Sequence, residues 1–396
     1  MQPFACGHAA HPDWRMALTM AAAQLDTPGT ARQAPTLGFA YFSDHYAAHA
    51  EALLEALRQR WPGVAWVGCV GVGLLASGVE YFDEPALVLM LAALPREQFR
   101  VFSGAQPLAG FDAFSALVHA DPATPELGEL LNELSGRTDS GYLFGGLAAS
   151  RNGVRHLADG AWQGGLSGVA FAKSVPLLSR VTQGCQPIGP VRRISAAQDN
   201  AVLELDGEPA LDCLLRDLDT SLAEPRKLLP KLRATLAGLS EEHETMLARG
   251  GQFGSDTQVR HLVGVDPQRG LVAVADSVRM GMRLAFCGRD AQAARRDLVR
   301  ICSEIRDELE AQVGDHAMVA PSAGDLPPAA SQRIAGALYI SCAGRGGPHF
   351  GAPSAEAQII RHALGDVPLA GFFAGGEIAR HHLYGYTGVL TVFVTE

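Results

Sequence analysis

The stretch Gly371-Phe372-Phe373-Ala374-Gly375-Gly376 restates a phrase met twice earlier in the chain, as Gly68-Cys69-Val70-Gly71-Val72-Gly73 and as Gly141-Tyr142-Leu143-Phe144-Gly145-Gly146. Its surroundings recur as well. Leu37 to Ser43 is a β-type run, Asp44 to Arg60 keeps Tyr46, Leu53, Leu54 and Leu57 at helical spacing, and Ala86 to Leu94 is a further apolar strand beyond the glycines. The last copy repeats that order with Ala337 to Cys342, a helix over Ser354 to Leu364, and a strand over Thr387 to Val394. The middle copy is looser, running from Phe114 to His119, through a helix over Glu126 to Leu134, to Leu166 to Ala172.

A strand, a crossover helix and a second strand form a parallel pair, and a third strand reached by a short connection is an antiparallel neighbour. The expected fold is therefore α+β: repeated β-α-β-β units form mixed sheets flanked by helices, in two domains. A glycine repeated at the exit of each second strand points to a tight bend or a close backbone approach. Gly68, Gly141 and Gly371 are expected at equivalent places, and Gly376 in a positive-φ conformation that a residue with a Cβ resists.

The chain has 396 residues, 47% hydrophobic and 19% charged, enough for more than one sizeable core. With net charge −10 and lysine only at Lys173, Lys227 and Lys231, it offers no basic strip, so nucleic acid is not an expected partner. No apolar run reaches the roughly 18 residues of a membrane span, and the start lacks a basic region followed by a hydrophobic segment, so a soluble, cytoplasmic protein without membrane contact is expected. Seven scattered cysteines argue against a disulfide framework, and a reducing compartment fits them.

The turn formers of Gly184-Cys185-Gln186-Pro187-Ile188-Gly189-Pro190 place a seam near residues 175–200, giving domains 1–190 and 191–396. Beyond it helices are expected over Pro209 to Leu218 and Lys227 to Gly238, then a linker from Arg249 to Thr257. A hairpin over His261 to Val274, a strand over Met282 to Cys287 and a helix capped by Asp290 follow. Ala320 to Ser331, rich in Pro, Ser and Ala, reads as a surface connection.

An ordered set of short stretches now carries a resemblance. Gly68-Cys69, Leu143-Phe144-Gly145-Gly146, Gly168-Val169-Ala170, Thr182 to Gly189 and Asp206 to Leu211 resemble the N-terminal domain of the FIST family and its junction. Arg279-Met280-Gly281-Met282 with Arg289-Asp290, then Ser341 to Gly346, then Gly371 to Ile378, resemble the FIST C-terminal domain. The likeness spans residues 14–395. It implies a sensory module that binds a small ligand, an amino acid among the candidates. The kinase, cyclase, chemotaxis bundle or F-box often joined to such modules is not visible, so a separate signalling protein is the expected partner.

The candidate site is the loop Ser341-Cys342-Ala343-Gly344-Arg345-Gly346-Gly347-Pro348-His349. Gly344 and Gly346 around Arg345 leave backbone N–H groups to face an anion while the guanidinium grips a carboxylate. Glu377, after Gly375-Gly376, offers an acceptor for an amino group. Both loops are expected at the ends of adjacent parallel strands, where open α/β structures hold ligands. As a loop residue, Arg345 is expected to contribute little to the core.

The counterparts of Cys342 are Ser43 and, more loosely, Asp121; Ser43-Asp44 also reads as a helix N-cap pair. The ligand-binding set is thus Cys342, Gly344, Arg345, Gly346, His349, Gly375, Gly376, Glu377 and Ser43. No catalytic residue and no cofactor is assigned. Metal binding is not expected: Cys6, His8 and His11 lack the spacing of a closed zinc site, and His381 and His382, as strand neighbours, are expected on opposite faces. Two alternatives stand beside the sensor. One is an acyl-transfer or hydrolytic enzyme with Cys342 as nucleophile, His349 as base and Glu377 orienting it. The other is an interaction scaffold that binds no ligand.

Overall fold

A computed structural model describes residues 1–26, 34–242, 246, 253–254, 257–316 and 330–395. The expected linker 249–257 and the connection 320–331 lie largely outside these residues. The chain forms two compact units, one of residues 1–182, 295–383 and 387–396, the other of residues 183–294 and 384–386. The expected cut between residues 190 and 191 divides the chain linearly, whereas the compact units are interleaved.

Mixed sheets flanked by helices make up the first unit. It holds three six-stranded sheets built on one plan. In each, a first strand pairs in parallel with a second strand reached through a helix, and antiparallel with a closing strand. In the first block these are Leu37–Ser43, Ala65–Gly71 and Ala86–Ala92. In the second they are Ser115–Ala120, Tyr142–Leu147 and Leu166–Phe171. In the third they are Ile334–Cys342, Leu369–Ala374 and Thr387–Val394. The closing strand therefore neighbours the first strand, not the second. Most of these strands are buried along their whole length, which is why they read as continuous apolar runs rather than alternating ones.

The free edge of each second strand is taken by a hairpin from a different block. The hairpin of Gly73–Ala76 and Val79–Phe82, from the first block, pairs with Leu369–Ala374 of the third. His156–Ala158, from the second block, pairs with Ala65–Gly71 of the first. Glu377–Ala379, from the third, pairs with Tyr142–Leu147 of the second. The exchange is cyclic, each block giving one hairpin and receiving one.

An outer strand completes each sheet beside the closing strand: Ala5–Ala10, Phe99–Phe102 and Leu177–Gln183. In the third block, residues 183–294 are inserted between that outer strand and the block's first strand.

The repeated glycine follows from this plan. A Cβ on Gly68 would lie 1.8 Å from the Ala40 carbonyl oxygen, on Gly145 1.9 Å from that of Val118, and on Gly371 1.8 Å from that of Tyr339. These three residues face one another's equivalents across the parallel pair. The equivalent of Gly68 and Gly371 is thus Gly145, not Gly141, and the glycine lies within the second strand rather than at its exit. Gly376 is not among the described glycines with positive φ, whereas Gly347, at φ 59°, is.

The second unit is antiparallel throughout. Strands Arg283–Arg289, Arg192–Gln198, Ala201–Leu205, Leu271–Val274, Gln258–Asp266 and Thr235–Ser240 pair in that order, and the last pairs back to the first, closing a six-stranded barrel. Ile194, Val202, Leu205, Leu239, Val272, Leu284 and Phe286 belong to its core, with Leu211 and Leu214 from the helix Ala210–Asp217. The helix expected to run to Gly238 ends at Ala234, where Thr235 begins a barrel strand. Asp290 caps its helix as expected, its Oδ1 accepting from the Ala293 N–H at 2.6 Å.

Candidate ligand site

The first strand of the third block ends at Cys342, opposite Ala374 at the end of the second. There the chain folds back on itself. The Cys342 carbonyl accepts from the N–H groups of Arg345 at 2.9 Å and Gly346 at 3.0 Å, and the Ala343 N–H donates to the Ala374 carbonyl at 2.8 Å. These amides close the turn, so Arg345 and Gly346 do not present N–H groups to an anion as the sequence suggested. Gly346 is needed for packing, because a Cβ there would lie 2.0 Å from the Phe373 ring. Gly344 is exposed at the tip of the turn.

Arg345 points inward and is 1% exposed. Its Nη1 donates to the Thr182 carbonyl at 3.2 Å and its Nη2 to the Thr182 hydroxyl at 3.1 Å. Its Nε lies 3.5 Å from a Glu356 carboxylate oxygen, and the guanidinium stands 5.2 Å over the Phe350 ring. The expectation of an arginine with little part in the core is overturned by this burial.

Glu356, fully buried in the first turn of the helix Ala355–Leu364, accepts from the Tyr339 hydroxyl and from the Ser341 hydroxyl at 2.9 and 3.1 Å. Burial raises its pKa against the pull of Arg345, Tyr339 and Ser341.

Glu377 is also fully buried. One of its carboxylate oxygens accepts from the Thr387 hydroxyl at 2.6 Å and from the Thr387 N–H at 3.1 Å. Burial pushes its pKa up to about 8, although Thr387, the Arg345 charge and the Cys342 thiol all favour the ionised form. A third carboxyl, Glu80, arrives on the hairpin given by the first block and accepts from the Ala357 N–H at 3.0 Å; burial raises it to about 7. Glu356 and Glu377 thus both feel the Arg345 charge, while Glu80 is raised further by the Glu356 charge beside it.

Of the expected residues, Cys342, Arg345 and Glu377 come together. His349 is half-buried on the turn Gly347–Phe350, edge-on to Phe350 at 6.1 Å between ring centres. Gly375 is exposed, and its N–H donates to the Leu147 carbonyl at 3.0 Å while the Gly376 carbonyl accepts from the Leu147 N–H at 2.8 Å, so this loop is clamped to the second block.

Ser43 sits at the matching strand end of the first block, opposite Gly71. Its hydroxyl accepts from the Ala86 N–H at 2.9 Å rather than capping the following helical turn, and Asp44 beside it is held by Arg151 at 2.7 and 3.0 Å.

Glu356, Glu80, Thr182 and Thr387 were not anticipated. Glu356 had a signal, an acidic residue on the apolar stripe with Ile360 and Leu364 at helical spacing. Glu80 had none, since its partners lie on another block. The His381 and His382 rings lie 3.9 Å apart between centres, not on opposite faces. Among the described residues, no group of three or more His, Cys, Asp or Glu is placed to hold a metal ion. No described helix is long and apolar enough to cross a membrane.

This architecture coincides with a family match over most of the chain: the FIST N domain family over residues 36–208 and the FIST C domain family over residues 210–380. The chain belongs to the FIST family, whose domains are associated with sensory and signalling roles. The boundary between the two family segments falls inside the inserted barrel. Similar full-length proteins include uncharacterized proteins of Mycobacterium bovis and Mycobacterium tuberculosis, each 32% identical over 406 residues and covering 97% of both chains. A second Mycobacterium tuberculosis protein, also uncharacterized, is 31% identical over 403 residues with the same coverage.

Proposed function

We propose that this protein is a cytoplasmic sensor that binds a small carboxylate-bearing ligand of the amino-acid class at the strand ends of the third block, and passes the signal to a separate protein. The observation that carries the reading is the buried pair of Arg345 and Glu377 beneath the glycine-bearing turn, with the Cys342 thiol between strand end and carboxyl. A zwitterion complements such a pair, its carboxylate matching the guanidinium and its amino group the acid. The ligand enters by displacing the turn from Ala343 to His349, whose tip at Gly344 is exposed. An ammonium group beside Glu377 favours its ionised form, so the proton that burial keeps there is released to solvent on binding, which couples binding to a change in the charge of the cluster.

The test is a thermal-shift panel of amino acids, each beside its deaminated acid, on the parent and on Glu377→Gln. Ligand at about a hundred times its dissociation constant adds ~2.7 kcal/mol to stability. The expected result is a shift for an amino acid that its deaminated acid does not give and that Glu377→Gln abolishes. Saturable binding that survives Glu377→Gln places the site elsewhere. Turnover of an ester or amide that depends on Cys342 favours acyl transfer instead, and a panel without any shift favours a ligand-free scaffold.

A further inference from the structure

We infer that the helix Pro225–Ala234, in the second unit, is a docking surface for an acidic amphipathic helix of a partner protein. A chain of net charge −10 gathers Arg226, Lys227, Lys231 and Arg233 on this one short helix. Two of the four cations are committed. Lys227 pairs with Glu224 at 2.6 Å, and the Lys231 ammonium donates to the carbonyls of Leu218 and Asp219, at 3.1 Å to the latter. Arg226 and Arg233 are exposed, and neither enters an ion pair or a hydrogen bond among the described residues.

The leucines divide the helix into two faces. Leu228 and Leu232, at i and i+4, pack on the core of the barrel. Arg226, Leu229 and Arg233, at i, i+3 and i+7, share another face, where Leu229 is 54% exposed. Leu222, in the turn before the helix, is 46% exposed. Water solvates the two guanidinium groups well but not the leucines, which gain by being covered.

The occupant follows by complement. A leucine between two arginines, whose main chains are about 10 Å apart along the helix, matches a second helix that sets an apolar side chain between two carboxylates one heptad apart. Arginine is the cation suited to this, because its planar fork grips a carboxylate through two hydrogen bonds. The acidic turns of the chain's own helix Ala291–His316 do not serve, since Glu304 and Glu308 are already held by Arg180, so the partner is a different protein rather than a second copy. An anionic bilayer is a poorer match: two leucines give little to insert, and the acidic remainder of the chain is repelled. The surface shares no residue with the site at Cys342, so its test needs no ligand there.

Fluorescence anisotropy of labelled peptides titrated with the full chain at low salt tests this. The probe is a helix-forming peptide of about 20 residues with leucines flanked by glutamates one heptad apart. Beside it stand its glutamine version, its lysine version and a scramble of the same composition. Saturable binding of the acidic peptide is expected, with the glutamine version and the scramble each weaker by about tenfold or more. Leu229→Ser, which leaves the charge unchanged, is expected to weaken the acidic peptide by about tenfold. Arg226→Glu combined with Arg233→Glu is expected to lose the acidic peptide and to gain the lysine version, at an unchanged melting temperature. The inference is overturned by the absence of saturable binding up to about millimolar peptide, or by a scramble that binds as tightly. It is overturned in favour of a membrane surface if the chain sediments with phosphatidylglycerol vesicles and ignores the peptide.

Discussion

Replacing Gly371 with alanine adds one carbon atom at the place where two parallel strands of the third block come closest. That carbon would stand 1.8 Å from the Tyr339 carbonyl oxygen and 2.8 Å from its carbon, and separations under 3.0 Å are essentially never adopted by a Cβ. The obstructing atoms are main chain, so no rotamer relieves the contact. The second strand must move away from the first by more than 1 Å, against an inter-strand spacing of about 4.8 Å.

Such a displacement breaks two or three ladder hydrogen bonds at roughly 1 kcal/mol each and adds overpacking strain of about 1–3 kcal/mol. We expect Gly371→Ala to cost about 3–6 kcal/mol, with Gly68→Ala and Gly145→Ala alike, because their Cβ atoms meet Ala40 and Val118 at 1.8 and 1.9 Å. Denaturation by urea, followed by far-UV circular dichroism, measures the change. Gly128→Ala is the control, lying within a helix with nothing near its Cβ; it should stabilise by about 0.5–1 kcal/mol. A Gly371→Ala variant within about 0.5 kcal/mol of the parent refutes the close-approach account.

Two further outcomes follow from the buried cluster. Glu377, raised in the fold to about 8, stays protonated there while the unfolded chain ionises, so its contribution to stability is full below the unfolded carboxyl pKa and is lost as pH rises toward 8. Urea midpoints taken from pH 5 to pH 8 should therefore fall less steeply for Glu377→Gln than for the parent; parallel slopes would remove Glu377 as the titrating group. Arg345→Ala leaves Glu356 buried without its cation and should cost about 3–5 kcal/mol, with Glu356→Gln recovering part of that loss in the double variant. A single variant as stable as the parent would mean the arginine is not committed to the interior.

The strands of the three blocks were legible because they are buried on both faces, and such strands announce themselves as apolar runs. Register within them was less so. Gly141 and Gly145 both satisfy the repeated phrase, and only the position opposite Val118 distinguishes them. Hairpins such as Gly73–Phe82 escaped notice because their pairing partner is some 290 residues away, and periodicity carries no information about a distant edge. The site shows the same limit. A glycine-flanked arginine reads as a surface grip, yet its fate was decided by Thr182 and Glu356, which no local pattern links to Arg345. Glu377 was visible for the opposite reason, an acid set directly after a strand and two glycines.

The cyclic exchange of hairpins bears on the order in which the molecule is assembled during synthesis. When the ribosome has released the first two blocks, the edge of Tyr142–Leu147 has no occupant, and the hairpin Gly73–Phe82 has no sheet to join. Both wait until the entire barrel has been made and Leu369–Ala379 has emerged. Exposed strand edges invite pairing with other chains. The nascent protein therefore carries an unpaired strand edge until Leu369–Ala379 is made, and a chain cut short before residue 369 keeps that edge open.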